Sequence, residues 1–539
     1  MTSTMTASTQ DLATRSERPR AGSLWLVLML LAVLSALTAD GAWADAPRTA
    51  PVPVPRMLDG ETPVAAPAEP LNGVDIARQL RLTGDIGWML LDLESGTVVD
   101  AHAATKSFAP ASVAKLPTAL YALASLGPNH RFETRLFARG PLRDGVLAGD
   151  LVLVGGGDPE LDSDALADLA DDLRTSGIRS VSGRFLVDGG SGVRVQEIDP
   201  LQPVDVAYNP AISGLNLNFN RVFLEWQSVG AQRRVQVTAP ADEQRPAVTA
   251  VRAEILPGSV PFSHELDQAG ELWRVSAGVL GRSGARWLPV KRPEIYAGDV
   301  LRALAGARGV RLGLPQALSA PLGDIAEGAR QIARRQSRPL AEILRDMLRF
   351  STNLTAEVVG VAVAEARGEQ LATLAQSAAL MNAWAGRLAG AAPGDPRLKF
   401  VNHSGLTIES RVSPERMVQF LQGAARLGPR PSADAVAAGA MPVPGPAPAL
   451  LRPYVIDIEN DPLDLSSVEV RAKTGTMDRI RGLAGYLAIG PDRAFAFAIF
   501  TNDLAGRGAP RRGVDAGWMR RARAFERRLL RGWVRRVAG

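Results

Sequence analysis

Cysteine is absent from the 539 residues of this chain. That excludes disulfides, thiolate metal sites and cysteine nucleophiles together. It also excludes a lipid-modified cysteine behind the amino-terminal apolar run. Histidine is scarce. His102, His130, His264 and His403 are the whole set, none spaced from another as zinc ligands are, so no metal site is expected. Beyond the amino terminus no stretch is apolar enough to cross a bilayer. Lysine is nearly missing as well: Lys106, Lys115, Lys291, Lys399 and Lys473 stand against 56 arginines. Arginine keeps its proton in proteins and lysine can lose it, so each remaining lysine merits inspection.

What is present is ordinary for a folded protein. Hydrophobic residues make up 46% and charged residues 22%, which excludes wholesale disorder, and the length suits two to four domains. Net charge is +5, but ten arginines against Asp515 and Glu526 put +8 into residues 511–539. Residues 1–44 are neutral, which leaves residues 45–510 at −3. No basic field is spread over the body, so no nucleic-acid partner is expected.

Arg15, Arg18 and Arg20 precede an apolar run, Leu24 to Leu37, that ends in Ala42-Trp43-Ala44. This is the pattern of a secretory signal (residues 1–44), with the mature chain beginning at Asp45 in the periplasm. The alternative is an uncleaved inner-membrane anchor facing the periplasm. Seven prolines in residues 45–70 read as an extended tether, and folded sequence starts near Leu71.

Val74–Leu82 has helical spacing. Ile86–Asp92 and Thr97–Ala103 flank Glu94-Ser95-Gly96 as a hairpin, and a helix follows over Ala111–Leu126. Pro117 inside it predicts a local kink. From Phe132 to about Gly313 the texture is mostly β. Strands are expected at 145–154, 183–187, 221–227, 233–238, 247–255 and 273–279, with helices at 163–176 and 296–307. Helices return at 340–349, 356–366, 370–387 and 413–426. Strands follow at 468–472, 483–489 and 494–501, and a last helix over 514–537. The expected fold is α/β (α+β): helices around an antiparallel sheet that joins both chain ends (71–131 and 314–539), interrupted by a mostly β region (132–313) of two subdomains. The stripe Trp518, Ala522, Phe525, Leu529 and Trp533 predicts that the last helix packs on the sheet. Its arginine face suits weak, salt-dependent contact with anionic lipid or wall polymer. Pro442 to Pro453 predicts an irregular loop near the cleft.

Three short patterns carry chemistry. In Ser112-Val113-Ala114-Lys115 the hydroxyl and amine share a helix face, where a neutral lysine can take the serine proton. Ser351-Thr352-Asn353 lies in the break between two helices and offers a proton-relaying hydroxyl and an amide. Lys473-Thr474-Gly475-Thr476 lies on a late strand, where a cation and two hydroxyls suit a peptide carboxylate and the glycine admits a substrate backbone. Each also has a purely structural reading: an early-helix serine beside a solvated lysine, a helix N-cap at Ser351, and a lysine ending an edge strand. His403 lacks a clear acidic partner and no Gly-x-Ser-x-Gly elbow occurs, which argues against a Ser-His site.

In that order the three patterns match the motif set of serine β-lactamases and penicillin-binding proteins. Over residues 72–535 the sequence resembles the low-molecular-mass class C penicillin-binding proteins, the D-alanyl-D-alanine carboxypeptidases/endopeptidases. Gly149-Asp150-Leu151 with Gly155-Gly156-Gly157-Asp158-Pro159, Arg335–Leu340, Ser404-Gly405-Leu406 and Leu483-Ala484-Gly485-Tyr486 add to the resemblance, as does the 235-residue spacing from Lys115 to Ser351. Relatives often carry Asp-Gly where this chain has Asn402-His403.

The resemblance implies that Ser112 is the nucleophile and Lys115 its base. Ser351 relays a proton, and Asn353 fixes Lys115 and the substrate amide. Lys473 supplies positive potential; Thr474, Gly475 and Thr476 bind substrate, the two threonines contacting the terminal carboxylate; the amides of Ser112 and Thr476 form an oxyanion hole. Asp188 in the inserted region is either a contact to the stem-peptide amine or a turn residue. The implied partners are peptidoglycan peptides and, as covalent inhibitors, β-lactams; no cofactor or metal is implied. A β-lactamase or esterase with the same Ser-Lys pair, and a catalytically weak cell-wall binding protein, are the alternatives.

Overall fold

The computed structural model describes residues 72–538 apart from 191, 230–231, 268–269, 319–327, 429–440, 442, 444, 456–466 and 509–512. The expected export signal, the proline tether, and Pro442 and Pro444 lie outside the described residues.

Helix α1 (Gly73–Gln79) starts at Asn72, whose Oδ1 accepts the Asp75 amide at 3.0 Å. The hairpin follows as β1 (Asp85–Asp92) and β2 (Val98–His102). Asp92 Oδ1 accepts the amides of Glu94 and Ser95, and Gly96 takes φ 71°, which closes the turn. The expected Ala111–Leu126 helix is two pieces: a 3-10 turn over Ala111–Ala114, then α2 (Lys115–Leu126). Pro117 therefore sits in the first turn of α2, where a missing N–H costs little. The change of helix type lies before it, between Ser112 and Lys115, in place of the expected kink.

The helical layer continues with α3 (Leu340–Phe350), α4 (Asn353–Ala366), α5 (Leu374–Leu388) and α6 (Pro414–Ala425), and a single helical turn, Ala447–Leu450, lies within the segment expected to be an irregular loop. Strands β3 (Val468–Met477), β4 (Ile480–Ile489) and β5 (Arg493–Asn502) lead to α7 (Ala516–Ala538). The sheet order is β3-β4-β5-β1-β2, antiparallel throughout, so both chain ends share one sheet.

Strand β5 shows how the sheet is covered. Ala494, Ala496 and Ala498 pack in one core with Met417, Val418, Phe420 and Leu421 of α6. Phe495, Phe497 and Ile499 face the other way, onto Phe525, Leu529, Leu530 and Trp533 of α7. Small residues on one face let α6 approach closely. The α7 stripe is buried at every position expected, from Trp518 to Trp533. Each large apolar side chain so covered is worth about 1.5–3 kcal/mol. Helix α2 is apolar nearly all round and buried from Lys115 to Ala122, so it forms the centre of the helical layer.

The inserted region contains more α/β character than its texture suggests. Its main sheet runs 315–317, 185–188, 150–154, 133–139, 330–336. The 150–154 and 185–188 strands are parallel, joined through the helix Ser163–Thr175. That helix and Pro293–Ala307 share the core beneath the sheet. Three three-stranded sheets, built from 221–229, 232–238, 283–289, from 251–256, 262–267, 270–276 and from 142–143, 146–147, 180–181, complete it. The strand Arg330–Gln336 pairs with Glu133–Arg139, so this sheet takes in chain beyond residue 313. Between the 185–188 strand and the 221–229 strand, Val193, Ile198 and Ile212 pack on Leu354, Val358 and Val361 of α4. The inserted region thereby reaches the three-motif corner.

Candidate active site

The turn Ala111–Ala114 is gripped by two distant segments. A Cβ on Gly475 would stand 2.3 Å from Pro110 O and 3.2 Å from Ser112 N, so β3 lies directly against the turn. A Cβ on Gly405, whose φ is +75°, would stand 2.0 Å from Ala111 O. Only glycine permits either approach. Ser112 stays half-buried at this junction while Lys115, one position into α2, is fully buried.

Lys115 Nζ is surrounded by neutral acceptors. It lies 2.9 Å from Ser112 Oγ, 2.7 Å from Asn353 Oδ1 and 2.8 Å from Ser404 O. Burial strips water from the ammonium and lowers its pKa to about 7, with the Glu357 charge opposing. As a free amine, Lys115 donates two N–H bonds and presents one lone pair. Such a lone pair can accept a proton from Ser112 Oγ.

Asn353 is the first residue of α4 rather than part of an open break, because the helix begins three residues before the expected Ala356. Its Oδ1 faces Lys115 and its Nδ2 donates to Tyr208 O at 2.9 Å, which fixes the amide orientation. Tyr208 belongs to the inserted region, so that region buttresses the site. Ser351 ends α3 in the left-handed conformation at φ 61°, and is not an N-cap. A non-glycine residue there carries about 1–2 kcal/mol of strain, held by its surroundings. Its Oγ accepts from Lys473 Nζ at 2.9 Å. Lys473 also donates to Thr474 O at 2.7 Å. Burial, then the charges of Lys115, Arg452 and Arg481, push its pKa well below the usual lysine value.

The remaining expected residues fall into two groups. Thr474, Gly475 and Thr476 lie within β3, which extends past the expected Ala472 to Met477, and both threonines are partly exposed. Asp188 is the last residue of its strand, buried, with Oδ1 accepting from the Gly190 amide at 3.0 Å and facing Arg194 at 3.5 Å. No hydrogen bond joins it to the Ser112 cluster among the described residues. His403 is buried, keeps to its neutral form with a pKa lowered to about 3 by burial, and pairs through Nε2 with Ser377 Oγ at 2.9 Å. Its partner is thus Ser377 and not Ser112.

Sequence reasoning missed Glu357, Tyr208 and the Ser404 carbonyl. Glu357 stands four residues after Asn353 on α4, on the same face. It is fully buried and accepts the amides of His403 at 3.0 Å and Ser404 at 2.8 Å. Those bonds hold the loop whose next atom, Ser404 O, meets Lys115. Thr118 Oγ1 adds a bond to His403 O at 2.7 Å. Burial raises the Glu357 pKa, while the hydrogen bonds from the Ser404 side chain and both backbone amides, and the Lys115 charge, act against it. The i, i+4 spacing from Asn353 was the available signal.

Residues 74–523 match the D-Ala-D-Ala carboxypeptidase 3 (S13) family. The chain is 27% identical to a D-alanyl-D-alanine carboxypeptidase of Actinomadura sp., covering 84% of this chain and 86% of that one. It is 25% identical to carboxypeptidase DacB of Mycolicibacterium smegmatis, covering 93% and 96%. Its fold is similar to the crystal structure of penicillin binding protein 4 (dacB) from Haemophilus influenzae, with TM-score 0.66 and 19% identity over 86% of this chain and 99% of that one. With the family match spanning most of its length and a Ser-Lys pair poised at its centre, this chain belongs to the D-Ala-D-Ala carboxypeptidase 3 family.

Proposed function

We propose that Ser112 is the nucleophile of a serine D-alanyl-D-alanine carboxypeptidase and that Lys115 is its general base. The observation that carries this is the dry contact of Lys115 Nζ with Ser112 Oγ at 2.9 Å, with the amine near its half-protonated state at neutral pH. The Ser112 proton moves to Lys115 Nζ as Oγ attacks the carbonyl of the penultimate D-alanine. The amides of Ser112 and Thr476 stabilise the oxyanion. The C–N bond breaks, and Ser351, held by Lys473, relays a proton to the departing amine. Water then hydrolyses the Ser112 ester. Asn353 orients Lys115 and the substrate amide, and Thr474 and Thr476 bind the terminal carboxylate against the Lys473 potential. β-Lactams enter the same path and remain as the Ser112 ester.

The wider reading is peptidoglycan trimming in the periplasm after export by a cleaved signal, with endopeptidase action on cross-links through the same acyl-enzyme. Asp188 meets the stem-peptide amine in this reading. The arginines on the outer face of α7, with Arg520, Arg527, Arg528 and Arg536 exposed, support weak contact with anionic lipid or wall polymer. The test is incubation of the mature protein and its Ser112→Ala variant with cross-linked and uncross-linked muropeptides, followed by product identification. Released D-alanine from the parent alone is expected. Equal turnover by Ser112→Ala would sink the assignment.

A further inference from the structure

Arg481 lies directly across the β3–β4 ladder from Thr476 and is buried to 5% exposure. A buried guanidinium needs both a counter-charge and partners for its N–H groups. Arg481 Nε faces both oxygens of Glu526, at 2.9 and 3.1 Å. Glu526 comes from α7 and is itself buried, and Tyr454 Oη donates to it at 3.3 Å. The other arm of the fork, Nη1, donates to Thr476 Oγ1 at 2.8 Å. The last helix of the chain is thereby wired to the strand that carries the third motif.

The direction of that last bond has a chemical consequence. Guanidinium only donates, so Thr476 Oγ1 must accept. Among the described residues no acceptor takes the Thr476 proton. The hydroxyl is partly exposed, one residue beyond the glycine that touches Ser112 N. Its proton is therefore free to be donated to a ligand. Nearby, the charges of Arg452 and Arg481 bear on Lys473. Glu526, the carboxylate in contact with this group, is committed to Arg481. The corner is built for an anion.

We propose that Arg481, locked by Glu526, is a specificity-determining residue that orients the Thr476 hydroxyl so that its proton is given to the carboxylate of the leaving residue. The chain accordingly prefers substrates whose leaving residue carries a free carboxylate beside the cleaved bond over those in which it is a carboxamide. This rests on the Ser112 reading above and adds the means of discrimination. Arg481 acts through Thr476 and by its field, not on the reacting atoms.

The test compares kcat/KM for an acyl-D-Ala-D-Ala peptide and for its terminal carboxamide. In Arg481→Gln/Glu526→Gln the charges leave together, so no buried ion is stranded. The carboxylate-over-carboxamide preference is expected to fall about tenfold, chiefly through KM for the carboxylate peptide. Thr476→Val should lower the preference similarly. Combining all three changes should add little further, because they lie on one path. A preference unchanged in the folded double variant, or an equal fall for both peptides, overturns the proposal. If the double variant does not fold, Thr476→Val decides in the same way. Ser112→Ala runs alongside. Persistent turnover there removes the underlying reading, whereas turnover lost there with the preference intact in the double variant overturns the Arg481 proposal alone.

Discussion

Two corners of this molecule bury a carboxylate against backbone amides beside a lysine, and they differ in what the lysine touches. In the inserted region Glu271 accepts the Lys291 amide at 3.0 and 2.9 Å and the Arg292 amide at 2.7 Å, and meets His264 Nε2 at 3.0 Å. The Lys291 side chain reaches outward to the Glu197 carboxylate at 3.0 Å. In the catalytic layer Glu357 accepts two amides in the same manner, but Lys115 turns to a hydroxyl, an amide oxygen and a carbonyl. A dry pocket of neutral acceptors disfavours the ammonium, which suits Lys115 to the base role proposed above. The same cradle thus anchors structure in one corner and poises chemistry in the other.

The comparison breaks most sharply at the lysines. Lys115→Arg should reduce penicillin acylation at least about a thousandfold, because guanidinium cannot take the serine proton at accessible pH. Lys291→Arg keeps its ion pair and should leave acylation within about threefold of the parent. Second-order acylation rates with thermal melts check both. A folded Lys115→Arg protein acylating at nearly the parental rate would remove Lys115 as base.

Lys473→Arg should have a smaller effect. Arginine holds a positive charge at that place, so some acylation remains, while the bulkier head loses the bond to Ser351. A fall of about ten- to a hundredfold is expected, larger for carboxylate peptides than for carboxamides.

The two carboxylates separate most finely by pH. Acylation by the parent should rise with pH through about 7, as Lys115 loses its proton, and level off above. The Glu357 charge raises the Lys115 pKa, so Glu357→Gln should move that limb to lower pH. It should also lower the plateau several-fold to about tenfold, since one carboxamide cannot accept both loop amides equally. Glu271→Gln should cost about 1–3 kcal/mol of stability and leave the limb where it is. A pH–rate profile and a denaturant melt for each protein distinguish the two. A limb unmoved in Glu357→Gln would reduce Glu357 to a structural anchor like Glu271.

Much of the site was readable from the chain. Ser112 and Lys115 meet because three residues of a tight helix bring them together, and the 3-10 turn makes the pairing more direct than an α-helix would. The alternation of Ala and Phe in β5 and the α7 stripe reported their own buried faces. The misses were boundaries and long-range partners. The helical pattern weakens before Ala356, so the sequence by itself puts Asn353 in a break. Ser351 was open to reading as an N-cap, since its left-handed backbone is imposed by packing and not by its side chain. The strand Arg330–Gln336 is rich in Arg and Gln, has little apolar alternation, and was recognisable only by its pairing with Glu133–Arg139.

Local pattern by itself determined the reactive pair, the order of the three motifs and the apolar stripes that build the sheet and its covering helices. These depend on spacing within a turn or a strand, which neighbouring residues dictate. Tertiary structure alone decided that Lys115 is dry, that Asn353 reaches it across 238 positions, and that Lys473 reaches Ser351 across 122. It alone joined Glu357 to the 403–404 loop and Arg481 to Glu526. The physical reason is that proton affinity depends on how much water and which charges surround a group. In this protein those surroundings are assembled from segments the chain brings together only when folded.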